Sequence, residues 1–195
     1  MAQVETKPIL KEYTRKWFAQ HLRWKKTYSI IAKWMVKNLD FESVLDIGCG
    51  NAYINEGLLA RGKEVSGIDG TLVVKDIVAK SIKPFIEIKD VTQKLDIPLY
   101  DMVVSTEVAE HLFEEFADIF VDNICSHARK WICFTAATTA GKKSRNHVNV
   151  QPHSYWIQKI QGHGFIMRND LTDEFRKIDV SHAKWLIYNM MIFKK

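Results

Sequence analysis

The stretch Val44–Gly70, VLDIGCGNAYINEGLLARGKEVSGIDG, decides the fold. A short apolar run, VLDIG, meets glycines at Gly48 and Gly50. The segment YINEGLLARG then reads as a helix ending at Gly62, and EVSGID reads as a second strand ending in an acid. Strand, tight glycine turn, helix and second strand are how an open parallel sheet with a nucleotide-type crevice begins. One residue breaks the simplest version of that pattern. Asp46 places a carboxylate at the end of the first strand, just before the glycines, so the ligand of this turn must accept negative charge there.

Working outward, the alternation continues. LVVKDIVAKSI, over 72–82, reads as a second helix with Thr71 as its N-cap. FIEIKD and YDMVVST read as the third and fourth strands. FEEFADIFVDNICSHA is a helix, KWICFTA a fifth strand, and SYWIQKIQGHGF a helix closing at Gly162–Gly164. Short strands near FIMR and NMMIFKK end the chain, and DEFRKIDVSHAKWL between them gives no clear pattern. This order predicts an α/β fold with a Rossmann-like, seven-stranded, mainly parallel sheet and helices on both faces. In such sheets ligands lie at the carboxyl ends of the strands, near the switch in strand order. Asp46, Asp69, Asp90 and the turn Ser105–His111 therefore share one crevice.

Residues 9–39 read as helix in one or two pieces. Trp17, Trp24, Tyr28, Ile31 and Met35 recur at three- and four-residue steps and form an apolar stripe, expected as core contacts with a possible cation–π role for one aromatic. Basic residues fill the other face. The division expected is an N-terminal helical extension, 1–40, covering the site, and a main domain, 41–195.

The 195 residues are 47% hydrophobic and 26% charged, which suits one globular core. Net charge is +5, which favours anionic partners modestly and decides little. Three cysteines, Cys49, Cys125 and Cys133, are scattered, so neither a disulfide framework nor a structural zinc is expected. The N-terminal stretch MAQVETKPILKEY has no signal-peptide pattern, and no apolar run is long enough to span a membrane. A cytoplasmic location is expected. The oligomeric state is not legible.

Two ligands fit a glycine turn of this kind. A dinucleotide would use Gly48, Gly50 and Asp69, but Tyr53 stands where a small residue is needed for close helix–strand packing, and Asp46 would repel a pyrophosphate. S-adenosylmethionine carries no phosphate and bears an ammonium and a sulfonium, so a carboxylate at Asp46 helps. Asp69 would then accept the ribose hydroxyls and Asp90 the adenine amino group.

VLDIGCGNA, GIDG, IKDV and YDMVVSTEVAEHL together resemble, in order, the motifs of the class I S-adenosylmethionine-dependent methyltransferases over about 43–134. The resemblance implies S-adenosyl-L-methionine as cofactor, held by Asp46, Gly48, Gly50 and Asp69. Gly70, Asp90, Val91 and Glu107 complete that set. The family's third loop glycine is replaced by Ala52, where close approach survives if φ is negative. HVNVQPHSYWIQKIQGHGF is similar to a subgroup of small O-methyltransferase-like domains and implies an antiparallel last strand. It implies acceptor binding by His147, Asn149 and Tyr155, with His153 nearby, and an acceptor that is a sugar or other small molecule.

His111 follows the fourth strand at the mouth of the crevice. Imidazole suits deprotonation of a hydroxyl, and the resemblance points to the same residue, so His111 is the expected catalytic base; orienting a loop is its other reading. EVAEH is not the H-E-x-x-H pattern, and no catalytic metal is expected. The loop Thr138–Val150, with Gly141 and small polar residues, reads as a lid. Two rival functions stand beside oxygen methylation. One is a nucleic-acid methyltransferase, suggested by the basic N-terminal helix, although no amine-methylating N/D-P-P-Y motif follows the fourth strand. The other is a non-catalytic binding module with this fold.

Overall fold

The computed structural model describes residues 13–139 and 146–195. Expectations for residues before Tyr13, and for Gly141 in the lid, lie outside the described residues. Seven strands form one sheet in the order β3-β2-β1-β4-β5-β7-β6. They are β1 Ser43–Ile47, β2 Glu64–Asp69, β3 Ile86–Ile88, β4 Tyr100–Thr106, β5 Ala128–Thr135, β6 Ile166–Met167 and β7 Met191–Lys194. β1 to β5 pair in parallel, and β7 runs antiparallel to both of its neighbours, β5 and β6. The chain builds outward from β1 to β3 and then crosses to β4. The switch in strand order therefore falls between β1 and β4, which opens the crevice at their carboxyl ends.

The helices are α1 Arg15–Ala19, α2 Lys25–Asn38, α3 Tyr53–Leu59, α4 Val74–Ile77, α5 Ala117–Ser126, α6 His153–Gly162, α7 Asn169–Arg176 and α8 Lys184–Tyr188. Side chains alternate across the sheet, so neighbouring strand residues feed two cores. Val44, Met102, Val104 and Ile192 pack with Ile31, Met35, Ile54, Phe175 and Leu186 of α2, α3, α7 and α8. Leu45, Val103, Ile132 and Phe134 pack with Phe120, Ile124, Trp156 and Ile160 of α5 and α6. Helices therefore cover both faces. All three cysteines are buried and free.

One expectation changes and two open readings are resolved. The helix expected over 72–82 is only the single turn α4, and Thr71 does not cap it. Thr71 N–H is taken by Asp69 Oδ1 at 2.8 Å, and Val78 is already extended. The β-branched Val73, Val74, Ile77 and Val78 give little intrinsic support for a longer helix. The N-terminal helical path is broken by a 3₁₀ segment, Gln20–Trp24, between α1 and α2. The indistinct stretch before β7 supplies part of α7 and part of α8. Among the described residues, no helix is long and apolar enough to cross a membrane.

Candidate active site

The glycine turn folds back over β2. Gly48 N–H and Cys49 N–H both donate to Ile68 O, at 2.8 and 3.0 Å. Gly50 N–H donates to Asp69 Oδ2 at 2.9 Å, so the acid ending β2 holds the turn in place with one oxygen and the following Thr71 with the other. Gly48 has φ +77°, and a Cβ there would lie 2.4 Å from Val108 Cγ2. Glycine is required at this position both for the conformation and for the close approach of the β4 turn. Ser105 Oγ ties the end of β4 to β1 through Ile47 O at 2.8 Å.

Ala52 does not have the expected negative φ. It is left-handed at φ 52°, because its N–H closes a turn onto Cys49 O at 2.7 Å while its carbonyl accepts Glu56 N–H to start α3. Glu107 is left-handed as well, at φ 55°. Its N–H is shared between the carbonyl and hydroxyl of Thr135, and its carboxylate accepts from Asn189 Nδ2 at 3.2 Å.

These elements surround one cavity of about 950 Å³. Asp46, Gly48, Gly50, Asp69, Gly70, Asp90, Val91, Glu107, His111 and His147 all line it. Asn149 and Tyr155 do not. Asn149 is buried behind the wall, where its N–H donates to Glu110 O and its Oδ1 accepts from Gln151. Tyr155, on α6, packs edge-on against Trp156 with Lys159 over its ring.

The N-terminal helices, expected over the site, supply one wall of the cavity, including Phe18 and His21, which the sequence reading did not single out. Trp17, Phe18, His21, Trp24 and Tyr28 line the cavity, joined by Trp185 and Tyr188 at α8. His21 stacks on Trp24 at 4.1 Å, and Trp24 meets Trp185 edge-on at 5.1 Å. Trp17, Trp24 and Tyr28, expected as core contacts, touch only the edge of the core and otherwise face the crevice. The stripe is aromatic where it crosses the cavity and aliphatic, at Ile31 and Met35, where it meets the sheet; that change of residue type was the available signal. Asn51 Nδ2 donates to Phe18 O at 3.1 Å and fastens this wall to the glycine turn.

The electrostatics are those of a crowded acidic pocket. Burial, reinforced by the nearby Asp69 charge, pushes the Asp46 carboxyl up to about 8, and its Oδ1 has no hydrogen-bond partner. Asp69 is also raised by burial, against the opposing pull of the Gly50 and Thr71 N–H groups. Asp90 differs: it is exposed and accepts from the N–H and hydroxyl of Thr92. Burial raises Glu107, and burial plus the Glu107 charge raises Glu110.

His111 Nδ1 lies 2.9 Å from Asn146 O. A carbonyl can only accept, so Nδ1 carries the proton and Nε2 keeps a lone pair. Burial lowers His111 to about 4 and lowers His147 as well. The two rings meet edge-on at 4.9 Å. Where the sequence reading expected no metal site, Glu110, His111 and His147 bring potential ligand atoms within 4.8 Å of one another.

No protein-family model matches the chain. A ubiquinone biosynthesis O-methyltransferase of Alkalilimnicola ehrlichii is 32% identical over 81 residues, 38% of this chain. The match spans about a third (33%) of that relative's length. Magnesium protoporphyrin IX methyltransferase from Synechocystis PCC 6803, solved with bound S-adenosylhomocysteine, superposes with a TM-score of 0.65 at 16% identity. That alignment covers 100% of this chain and 88% of the other. A TehB-like S-adenosylmethionine-dependent methyltransferase from Corynebacterium glutamicum aligns with a TM-score of 0.62 at 19% identity, over 95% of this chain and 98% of the other. The sheet order, the antiparallel β7 and these superpositions establish that the chain has the fold of the class I S-adenosylmethionine-dependent methyltransferases.

Proposed function

We propose that the protein is an S-adenosylmethionine-dependent methyltransferase acting on an oxygen of a small-molecule acceptor. The observation that carries this reading is the placement of two buried strand-end carboxylates, Asp46 and Asp69, beside a glycine turn that faces an aromatic-walled cavity. A phosphate-bearing dinucleotide would find no compensating positive charge at Asp46 and would hold its proton in place. The ammonium of S-adenosylmethionine supplies the partner that Asp46 Oδ1 lacks. The ribose hydroxyls have the remaining lone pairs of Asp69 to donate to, and Asp90 and Val91 stand by the adenine. Glu107 lies toward the methionine end.

At about 950 Å³ the cavity is at the upper end of the ~300–1,000 Å³ of small-molecule sites, with room for cofactor and acceptor together. The aromatic wall suits an acceptor with an apolar body. The name of the sequence relative supports oxygen as the methylated atom. His111 readies the acceptor hydroxyl through the lone pair of Nε2, and His147, whose ring meets that of His111, contacts the acceptor beside it. As Nε2 takes the hydroxyl proton, the oxygen attacks the methyl carbon in line and the carbon–sulfur pair leaves on sulfur, giving a methylated oxygen and a neutral thioether. The N-terminal helices, residues 13–38, act as a cover that excludes water from the sulfonium.

Mass-spectrometric detection of S-adenosylhomocysteine release tests the reading, with phenols, sugars, amines and RNA offered in parallel. Turnover with hydroxyl-bearing small molecules is expected. Turnover on RNA or amines alone would move the acceptor class, and cofactor binding with no turnover on any class would favour the binding-module reading.

A further inference from the structure

We infer that Tyr28, on α2, reads the positive charge of the methyl donor, adding to the affinity for the sulfonium and not to that for the neutral thioether product. The inference rests on the methyltransferase reading for the identity of the ligand and on the placement of one ring for the rest.

The position of Tyr28 is fixed from both sides. Thr27 Oγ1 donates to His182 O at 2.9 Å, and Ile31 and Ala32, one turn on, are fully buried. Gly57 of α3 comes so close to α2 that a Cβ there would lie 2.7 Å from Ala32 Cβ. From this anchored turn the half-buried Tyr28 ring reaches the cavity. Its hydroxyl lies within reach of the Thr106 side chain at the end of β4, and Glu107 and Asp46 are among the charges that act on it. Asp46 pairs in register with Val104, so β1 and β4 are neighbours at this level. Tyr28 therefore stands over the switch between them, where ligands of such sheets lie. With Asp46 taking the ammonium and Asp69 the ribose, the sulfur of the cofactor lies between those two groups.

The surroundings select a cation, and the ring lacks one. The charged neighbours that act on the phenol are Glu107, Asp46 and Glu110, all acids. Burial first, and these charges after it, push the phenol up against the opposing pull of Thr106, so the ring stays neutral. A neutral aromatic ring offers a negative face to a cation. The rings nearby are already engaged. Tyr53, 5.9 Å from Tyr28, has Lys25 over it at 5.4 Å. Trp24 has Arg23 over it at 5.4 Å and His21 stacked on it. Trp17 is met by Tyr13, Phe18 and His21. Among the described residues, no side-chain cation lies over Tyr28.

A sulfonium beside Tyr28 gains the attraction of the ring and of the acids around it. Methyl transfer removes that gain. The carbon–sulfur pair stays on sulfur as the carbon–oxygen bond forms, and the thioether keeps only the contacts of Asp46 and Asp69 with its ammonium and ribose.

The test is calorimetric titration of S-adenosylmethionine and S-adenosylhomocysteine into wild type, Tyr28→Leu, Tyr28→Phe and Asp69→Ala at one pH. Tyr28→Leu should weaken S-adenosylmethionine binding by ~10-fold or more and leave S-adenosylhomocysteine within ~3-fold, as loss of a desolvated cation–π contact requires. Tyr28→Phe keeps the ring and should keep most of the difference. Asp69→Ala, which faces a group common to both ligands, should weaken both alike. If Tyr28→Leu does not melt cooperatively, pentafluorophenylalanine at position 28 replaces it. That side chain keeps the shape of phenylalanine but withdraws electron density from the face, so it should weaken S-adenosylmethionine alone relative to Tyr28→Phe. Equal losses for both ligands, or unchanged affinities, overturn the inference and leave the methyltransferase reading, because wild type still binds both. A wild type that binds neither ligand overturns the reading and the inference together.

Discussion

A carboxylic acid buried beside a second acid holds its proton past neutrality, and Asp46 is in that position. Its folded-state value is raised to about 8, so the stability it contributes is present at low pH and is lost as pH rises toward 8. The lowered histidines act oppositely, but only below their unfolded value of ~6.5. Asp69, Glu107 and Glu110, also raised by burial, act in the same direction as Asp46, so between pH ~6.5 and ~8 the Asp46 share is the difference between wild type and Asp46→Asn. We predict that stability of the ligand-free protein falls across this window, while affinity for S-adenosylmethionine rises because the cation favours ionised Asp46. Asp46→Asn should flatten both slopes; urea denaturation and calorimetry at stepped pH would show it, and parallel slopes in wild type and variant would contradict it. Ala52 offers a second residue-scale check. Its left-handed backbone costs ~1–2 kcal/mol, which glycine relieves. Glycine also loosens the unfolded chain by ~0.4–1 kcal/mol and removes a buried methyl. Ala52→Gly should therefore leave unfolding free energy within ~1 kcal/mol of wild type, and a loss above ~2 kcal/mol would show that the strain argument is wrong.

At the scale of elements, the contact of α2 with α3 decides whether the aromatic wall stays over the cavity. A Cβ on Gly57 would lie 2.7 Å from Ala32 Cβ, and neither atom belongs to a flexible side chain that could move aside. Gly57→Val should separate the helices, cost ~1–3 kcal/mol by overpacking, and weaken cofactor binding although Gly57 lines no part of the cavity. Thermal melts and calorimetry on one preparation would test both. A stable variant with native affinity would mean that the N-terminal helices do not depend on this contact. The strands were the most legible elements, because VLDI, EVSGID and YDMVVST are short apolar runs bounded by turns. α4 was over-read, since hydrophobic spacing over 72–82 looks helical while its β-branched residues and the Asp69–Thr71 hydrogen bond favour turns. The α7–α8 region was under-read because two short helices separated by a turn never establish a period.

For the molecule as a whole, what the sequence revealed was the half of the site carried by the strand ends. Asp46, Asp69 and the glycines occur in a fixed local order, so their meeting follows from the βαβ path itself. The other half is assembled from distant segments. Trp24 meets Trp185, and His111 meets His147, through tertiary packing that no local pattern encodes. Asn149 and Tyr155 show the converse: they are neighbours of His147 in sequence, but the backbone turns their side chains away from the cavity lining. The central claim is that the strand-end acids bind S-adenosylmethionine in this cavity. The measurement that tests it most directly is calorimetric titration of S-adenosylmethionine, S-adenosylhomocysteine and NAD into wild-type protein and Asp69→Ala, with the fold of the variant checked by circular dichroism. The account predicts one-to-one binding of the first two ligands, no binding of NAD, and a loss of ~1.5–3 kcal/mol in the variant, the range for hydrogen bonds to a charged group. Tight NAD binding, no binding of either methionine derivative, or unchanged affinity in a folded Asp69→Ala would contradict it.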